Sequence, residues 1–296
     1  MDNALKPWLR LPVIASLYPM ARLLRNILQF NPGEDEWGFC NICGYYSCFT
    51  YHELIPPSSR FAESCEWDPY FTKIINVCNT MSCAWCLSKF RVRSATDVLL
   101  KTFKSNQYSC LNDLVKDLMQ TPGTWRALET GSTGGIFSQL KSLKAITKTE
   151  YFNSIPRGTC IDGVFSEDLQ ELSFPDNSFN IVISLDVFEH IANPWRAFAE
   201  VYRVLRPQGT AIITIPIDWR LTKTKARAQM EGDSIQHVSP PAYHLDPLRT
   251  EGALVFTDFG QDLIQCLNDL NIPGQFKSYR TQKRKIEQFV LVIEKI

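Results

Sequence analysis

Two cysteine pairs with C-x-x-C spacing form the most specific chemical pattern in the chain. The pairs are Cys40/Cys43 and Cys83/Cys86, and seven of the ten cysteines lie between positions 40 and 86. Thiolates at this spacing can converge on a tetrahedral Zn²⁺ ion, and Gly44 suits the tight turn of a zinc knuckle. The pattern predicts a structural zinc site with these four thiolates as ligands. Ordinary buried cysteines or a redox-active pair are the alternatives, and Cys48, Cys65, Cys78 and His52 are spare potential ligands.

From residue 125 onward, short β-rich runs alternate with helical patterns, which is typical of βαβ units in a parallel sheet. Strands are predicted at 126–130, 145–150, 159–165, 181–185 and 210–217, followed by a terminal hairpin of 274–279 and 288–296. Helices are predicted at 90–119, 136–144, 194–205 and 263–270. Ligands bind beyond the carboxyl ends of such strands. The candidate binding residues are therefore those after the strands, above all Asp186–His190.

Composition and charge exclude some classes of protein. A hydrophobic content of 45% in 296 residues suffices for a sizeable core, and a formal net charge of zero gives no global argument for nucleic acid. No apolar run reaches the 18 residues that a membrane-spanning helix needs. With no clear secretion signal, the paired cysteines favour metal binding in a cytoplasmic protein over extracellular disulfides.

The chain divides into four predicted segments. They are a helical segment at 1–30, a Cys-rich zinc-binding module at 31–90, a helical connector at 91–123, and an α/β domain at 124–296 with an insertion at 218–255. The first segment is expected to pack on the rest of the protein. Its basic, Leu-rich character leaves peripheral contact with an anionic membrane as the alternative.

Taken together, the motifs between residues 125 and 295 resemble class I S-adenosylmethionine-dependent methyltransferases, and most closely a bacterial group with an N-terminal Cys-rich region. The motifs are Thr149–Phe152, Pro156–Gly158, Glu167–Pro175, Ser178–Phe179, Asp186–His190, Arg203–Pro207, Thr224–Ala228, Pro240–His244 and Asp258–Gly260. The resemblance implies a Rossmann-like, seven-stranded, mostly parallel sheet with helices on both faces, plus a small N-terminal zinc-binding module. Two departures are Thr133, where the family has the middle glycine of its loop, and Asn180, where it usually has Asp.

The resemblance also implies how S-adenosyl-L-methionine would be held. Glu129 and the loop glycines Gly131, Gly134 and Gly135 would hold the methionine portion, and Glu150 would bind the ribose hydroxyls. Asp168 and Leu169 would meet the adenine. Asp186 would lie on the sulfonium side, and the turn Asp186–His190 would line the sulfonium and acceptor side of the site.

The same resemblance implies methyl transfer to a small-molecule or glycan acceptor, at oxygen or nitrogen. His244 and then His190 are the predicted bases, because imidazole titrates near neutral pH. His237 and His52 are weaker candidates, and any of the four is alternatively a polar loop residue. Arg227, Lys223 and Lys225 are expected on a solvated face, with binding of an anionic acceptor as the alternative. Two other functions stay open: an RNA methyltransferase that reads RNA with the zinc module, and a non-catalytic cofactor-binding relic.

Overall fold

The computed structural model describes residues 24, 28, 30–103, 108–120, 125–131, 136, 145–244, 246 and 252–296. The predicted helix over 136–144 and nearly all of the segment 1–30, with its alternative membrane contact, lie outside the described residues. Among the described residues, no helix is both long and apolar enough to cross a bilayer.

In the described part of residues 30–120, the N-terminal region contains a small antiparallel sheet and four helices. The sheet has the order β1 (Glu36–Phe39), β2 (Tyr46–Thr50) and β3 (Ser82–Cys83). The helices are α1 (Arg60–Ser64), α2 (Pro69–Thr80), α3 (Phe90–Thr102) and α4 (Leu111–Gln120). Asp68 begins α2 by accepting a 2.6 Å hydrogen bond from the backbone N–H of Phe71, and Pro69 suits the first helical position. The single helix predicted over 90–119 is wrong, since α3 ends at Thr102, where Phe103 turns to an extended conformation.

An eight-stranded sheet forms the centre of the α/β region. Its strands are β4 (Ala127–Thr130), β5 (Ile146–Glu150), β6 (Cys160–Ile161), β7 (Val164–Ser166), β8 (Phe179–Leu185), β9 (Leu205–Thr214), β16 (Gly274–Arg280) and β17 (Glu287–Glu294). They have the order β16-β17-β9-β8-β4-β5-β7-β6, in which the five strands from β9 to β7 are parallel. The predicted Rossmann-like α/β class is therefore confirmed, with the terminal hairpin on one edge.

The eighth strand comes from a turn that the sequence pattern did not predict. The strand expected over 159–165 folds back on itself as β6 and β7, which pair antiparallel. Asp162 and Gly163 both have positive φ at this turn, the combination that two-residue hairpins favour. The sheet thus has one strand more than predicted.

Alternate residues of the central strands belong to two separate hydrophobic clusters. Ile181 and Ile183 of β8 pack with α3 and α4, together with Cys40 and Ile42 of the N-terminal sheet region. Val182 lies in the other cluster, which includes residues of α5 (Pro194–Val204) and α6 (Leu263–Asp269). Side chains alternate across a strand, so helices cover both faces of the sheet, as predicted. The division of the chain into segments at 30, 90 and 123 remains a prediction.

Among the described residues after β9, three two-stranded antiparallel sheets form two small hairpins and a long-range strand pair that encloses them. They pair β10 (Lys225–Ala226) with β15 (Thr257–Asp258), β11 (Ala228–Glu231) with β12 (Ser234–His237), and β13 (Tyr243–His244) with β14 (Ala253–Leu254).

Arg227 fixes these hairpins to the N-terminal region. Its guanidinium lies 2.9 Å from an oxygen of Asp258 and 3.0 Å from one of Glu66, and it donates to the carbonyl of Pro240 at 2.8 Å. Its side chain is only 1% exposed. The expectation of a solvated face is therefore wrong for Arg227, because a buried guanidinium needs these partners.

Candidate functional site

The parallel strands bring their carboxyl ends to one edge of the sheet. Thr130 at the end of β4 is in register with Thr149 of β5 and Ser184 of β8, and Glu150 is in register with Ser166 of β7. The residues that follow these strands therefore gather at the edge where ligands bind in open α/β sheets. Glu129, Gly131, Glu150, Asp168 and Asp186 all lie there, as the sequence pattern predicted.

The first turn after β4 has the backbone geometry of a tight loop. Gly131 has a φ of +81°, in the left-handed region that favours glycine, and its N–H donates to the carbonyl of Thr149. Glu129 is 2% exposed, directly before this turn. Gly134 and Gly135 lie outside the described residues, so their predicted role stays a prediction.

The acids after β5 and β7 differ in what they contact. The carboxylate of Glu150 accepts from the N–H of Tyr151 at 3.2 Å. Asp168 is partly exposed and accepts a 2.8 Å hydrogen bond from the N–H of Gln170, while Leu169 is buried in the core. Glu167 is 4% exposed, and its carboxylate accepts from the backbone N–H and the hydroxyl of Ser173. The partly exposed Asp168 is thus more accessible to a ligand than its neighbour Glu167.

Asp186 makes an ion pair that the sequence pattern did not predict. Its carboxylate accepts from the guanidinium of Arg91 on α3 and, at 2.7 Å, from the hydroxyl of Thr214. Burial disfavours the charged form, but Arg91 and Thr214 outweigh it, and the pKa of the Asp186 carboxyl is lowered. Asp186 is therefore a fixed anion at the end of β8, held by Arg91 of α3. The backbone at Asp186 has a φ of +52°, which changes the direction of the chain into the turn that carries Glu189 and His190.

Beside Asp186, a carboxylate and two imidazoles form a tight cluster. One oxygen of Glu189, Oε1, lies 3.7 Å from Nε2 of His190 and 3.7 Å from Nδ1 of His244. The two rings meet edge to face with centroids 4.9 Å apart. The structure thus brings together His190 and His244, the two predicted catalytic histidines, around an acid that the sequence analysis did not single out.

The cluster is held by backbone contacts between the turn and the hairpins. The N–H of Phe256 donates to the carbonyl of Glu189 at 2.7 Å, and β13 pairs His244 with Ala253 of β14. Nδ1 of His190 lies 2.8 Å from the carbonyl oxygen of Leu254. Burial lowers the pKa of His190, so its neutral form is favoured at neutral pH.

A cavity of about 300 Å³ opens over this cluster. Glu189 and His244 lie in its wall, together with Cys65–Trp67 from the N-terminal region and Val255 and Thr257–Phe259 from the segment after β9. Trp67 packs against the ring of His244 at 5.4 Å between centroids. The Cys-rich region and the 218–255 segment therefore share one wall of the cavity.

The other two histidines are exposed, at His52 and His237, and neither belongs to the cluster. Sequence reasoning missed Arg91 and Glu189. Arg91 gives no sequence signal, because it is 95 residues from Asp186. Glu189 could have been found, because an acid directly before a strand-end histidine places both on one turn.

The four cysteines of the two C-x-x-C pairs form a second cluster. Their sulfurs all lie within 4.8 Å of one another, with 3.7 Å between Cys40 and Cys86 and 3.9 Å between Cys43 and Cys83. Zn–S bonds of about 2.3 Å at tetrahedral angles place sulfurs about 3.8 Å apart. The residues present therefore fit a Zn²⁺ ion.

The two cysteine turns have the same backbone form. Gly44 and Leu87 follow the second cysteine of each pair, with φ of +79° and +61°, and each donates its N–H to the carbonyl of the first cysteine. At Gly44 an added Cβ would come within 2.9 Å of the Cys110 sulfur, so glycine is also required for space. At Leu87 the same turn forms without glycine. The second pair is therefore a knuckle despite its weaker sequence signal.

Comparisons with known proteins point to one family. Residues 140–213 match the family model described as a methyltransferase domain. A 46-residue stretch is 44% identical to an uncharacterized methyltransferase of Mycolicibacterium gilvum and covers 16% of this chain and 18% of that protein. Another, of 70 residues, is 31% identical to the sterol 24-C-methyltransferase erg-4 of Neurospora crassa and covers 24% of this chain and 16% of that protein. The matches thus span less than a fifth of the length of these relatives.

Solved structures give a similar but weaker likeness. One is a SAM-dependent methyltransferase of Methanosarcina mazei, with 19% identity, a TM-score of 0.37, and coverage of 60% of this chain and 97% of that one. The domain match and the named relatives confirm the resemblance to class I S-adenosylmethionine-dependent methyltransferases.

Proposed function

We propose, on the premise that residues 140–213 belong to the methyltransferase domain family, that this protein transfers a methyl group from S-adenosyl-L-methionine to a small-molecule or glycan acceptor. The observation that carries the proposal is the edge of the sheet, where Gly131 and the strand-end acids gather. A Cβ added at Gly131 would lie 3.6 Å from Val187, two residues before the cavity residue Glu189. This arrangement would give cofactor and acceptor adjoining places. The acceptor atom is proposed to be oxygen or nitrogen.

The proposed cofactor site follows the strand ends. Glu129, Gly131, Gly134 and Gly135 would hold the methionine portion, and Glu150 would bind the ribose hydroxyls. Asp168 and the backbone of Leu169 would meet the adenine, and Asp186 would lie nearest the sulfonium. The Arg91 ion pair supports an electrostatic and positioning role for Asp186, since the guanidinium already takes part of its hydrogen-bonding capacity. The cofactor supplies an activated methyl group, and the protein supplies alignment.

We propose that His244 and His190 are the catalytic residues that promote loss of the acceptor proton. His244 reaches the cavity wall, and His190 lies edge to face against it. A hydroxyl or ammonium acceptor must lose a proton to accept a methyl group, and imidazole is suited to this near neutral pH. The wall of the same cavity would contact the acceptor and set the substrate specificity of the protein, through Cys65–Trp67, Val255 and Thr257–Phe259.

We also propose a structural Zn²⁺ ion on Cys40, Cys43, Cys83 and Cys86. All four thiolates are consumed as ligands, so the ion would hold the fold together rather than act on substrate. Reduced thiolates of this kind are maintained in a reducing compartment, and we propose a cytoplasmic location on this ground. Metal analysis should find about one zinc per chain, and less than about half a zinc in the C83S/C86S variant. Less than half a zinc in the wild type would reject the four-thiolate site.

Isothermal titration calorimetry with S-adenosyl-L-methionine tests the methyltransferase proposal. The wild type should bind one cofactor per chain, and Glu150→Ala should weaken binding at least about tenfold, because the ribose loses a charge-assisted hydrogen-bond partner. Glu231→Ala removes an exposed acid on β11 and should bind like the wild type. If no binding is seen at millimolar cofactor, the methyltransferase proposal is rejected and a non-catalytic relic of the fold is the remaining hypothesis. Labelled cofactor with a cell extract would then identify the acceptor.

A further inference from the structure

The carboxylate of Glu189 is buried without a hydrogen-bond partner among the described residues. Its side chain is 2% exposed, and neither carboxylate oxygen accepts a hydrogen bond from any described residue. The guanidinium of Arg91, which interacts electrostatically with Glu189, is engaged by Asp186. Burying an unpaired carboxylate costs roughly several kcal/mol, so such a group is normally paired or bound to a metal ion. Among the described residues, no guanidinium or ammonium group contacts Glu189, and a cation bound between its carboxylate and the two imidazoles would satisfy it.

The hydrogen bonding of His190 sharpens this requirement. Its Nδ1 lies 2.8 Å from the carbonyl oxygen of Leu254, which can only accept, so Nδ1 carries the hydrogen. In the neutral ring the lone pair is then on Nε2, which lies 3.7 Å from Oε1 of Glu189, another pure acceptor. Two acceptors face each other with no hydrogen between them. A histidine whose other nitrogen donates to a backbone carbonyl is the usual form of a metal ligand.

His244 completes the set from a different element. Its Nδ1 lies 3.7 Å from the same oxygen of Glu189, and the three ligand atoms lie within 4.8 Å of one another. Metal–ligand bonds of about 2.1 Å place neighbouring ligand atoms about 3.0 to 3.4 Å apart, so movements of less than about 1 Å bring all three onto one ion. The hairpin of β13 and β14 fixes this geometry by delivering His244 across the turn that carries Glu189 and His190.

We propose that Glu189, His190 and His244 bind a divalent transition-metal ion at the wall of the cavity. Two imidazoles and one carboxylate suit ions such as Mn²⁺, Fe²⁺, Co²⁺ or Zn²⁺. Three protein ligands leave positions open, and two of the ligand residues line the cavity, so an oxygen of the acceptor can occupy one of them. The role at the acceptor rests on the function proposed above, because the two histidines would then act on the acceptor proton through the ion. The binding of the ion does not rest on that function.

Mn²⁺ is the best probe, because a four-thiolate site disfavours this hard ion and the cysteine cluster will not compete for it. Electron paramagnetic resonance on the full chain counts bound Mn²⁺ by loss of the six-line signal of the free ion. The wild type should bind one Mn²⁺, and Glu189→Gln and His244→Asn should each weaken it at least about tenfold. His237→Asn, an exposed histidine of the same insertion, is the matched control and should bind like the wild type.

Three results would overturn the proposal: no Mn²⁺ binding by the wild type up to millimolar metal, unchanged binding in both site variants, or an equal loss in His237→Asn. Far-UV circular dichroism checks that the variants are folded. If Glu189→Gln does not fold, Mn²⁺ binding by His244→Asn decides the test. Calorimetry with S-adenosyl-L-methionine runs in parallel on the same samples. Cofactor binding without Mn²⁺ binding would overturn the metal site and leave the methyltransferase proposal standing. Mn²⁺ binding without cofactor binding would overturn the methyltransferase proposal and leave the metal site standing.

Discussion

Asp186 is kept ionised at the end of β8 by the guanidinium of Arg91, and both side chains are largely buried. Arg91→Met should lower the free energy of unfolding by about 3 kcal/mol, because it leaves the carboxylate without its cation. The double variant Arg91→Met/Asp186→Asn should recover most of this loss, since asparagine tolerates the positive φ at 186 and carries no charge. Urea denaturation of the three proteins measures the effect.

A matched control exists on the surface. Arg157 pairs with Glu171 at 2.9 Å, but both side chains are well exposed. Arg157→Met should therefore cost less than about 1 kcal/mol. A loss in Arg91→Met no larger than in this control would contradict the importance of the Asp186 ion pair.

At the scale of single residues, the sequence predicted which side chains lie at the strand ends but not what they contact. The cluster of four cysteines was predicted from spacing alone, because two C-x-x-C pairs are typical of a metal site. Asp186 and His190 follow from their place after an apolar run. Their partners Arg91, Leu254 and His244 could not be predicted, because they lie 54 to 95 residues away along the chain and only folding brings them together.

At the scale of elements, Arg227 fastens the hairpins of the insertion to the N-terminal region. Arg227→Met should free these hairpins, since Asp258 and Glu66 lose their shared cation. We expect limited trypsin proteolysis within residues 218–255 to be several times faster, because proteolysis follows local opening. Lys223→Met removes an exposed cation four residues away that makes no ion pair with a described residue, and it should leave the cleavage rate of the remaining sites unchanged. Equal rates in Arg227→Met and the wild type would show that the hairpins are held by other contacts.

A second link joins α5 to the loop before β8. Glu200 accepts hydrogen bonds from Arg203 and from the N–H of Leu172, and these partners, Arg203 first, lower the pKa of its carboxyl. A carboxyl whose pKa is lowered on folding stabilises the protein above its unfolded pKa, about 4.3 for glutamate, and loses this contribution as pH falls through the folded pKa. The stability difference between the wild type and Glu200→Gln should therefore be constant from pH 7 to about 5 and shrink in more acidic solution. Equilibrium denaturation at several pH values checks this, and a constant difference down to pH 3 would contradict it.

Element types were largely predictable, and element ends were not. The periodic patterns gave β4, β5, β8, α5 and the terminal hairpin within a few residues, because burial on one or both faces dictates those patterns. The hairpin of β6 and β7 was missed because the turn depends on Asp162 adopting positive φ, which its residue type only permits. The break after α3 was missed because the apolar spacing continues into α4.

At the scale of the whole molecule, the cysteine cluster and the central sheet share one hydrophobic core. Cys40, Ile42 and Cys83 belong to the same cluster of buried residues as Leu99 of α3 and as Ile212 and Val290 of the sheet. The pattern of the sequence could predict the metal ligands and the sheet separately. It could not predict their shared core, because the face of β8 and β9 on which α3 packs is set by tertiary contacts.

Because of this shared core, we expect loss of the proposed zinc ion to destabilise the whole molecule. In differential scanning calorimetry, Cys40→Ser/Cys43→Ser should unfold in one transition, at least about 10 °C below that of the wild type, because the ligands stabilise residues that the sheet packs against. Cys160→Ser/Cys266→Ser also removes two thiols, but neither belongs to the cluster, and it should unfold close to the wild-type temperature. Two separate transitions, with only the first one shifted by the cluster variant, would mean that the Cys-rich region unfolds independently of the sheet. A single shifted transition is the outcome that one continuous core requires.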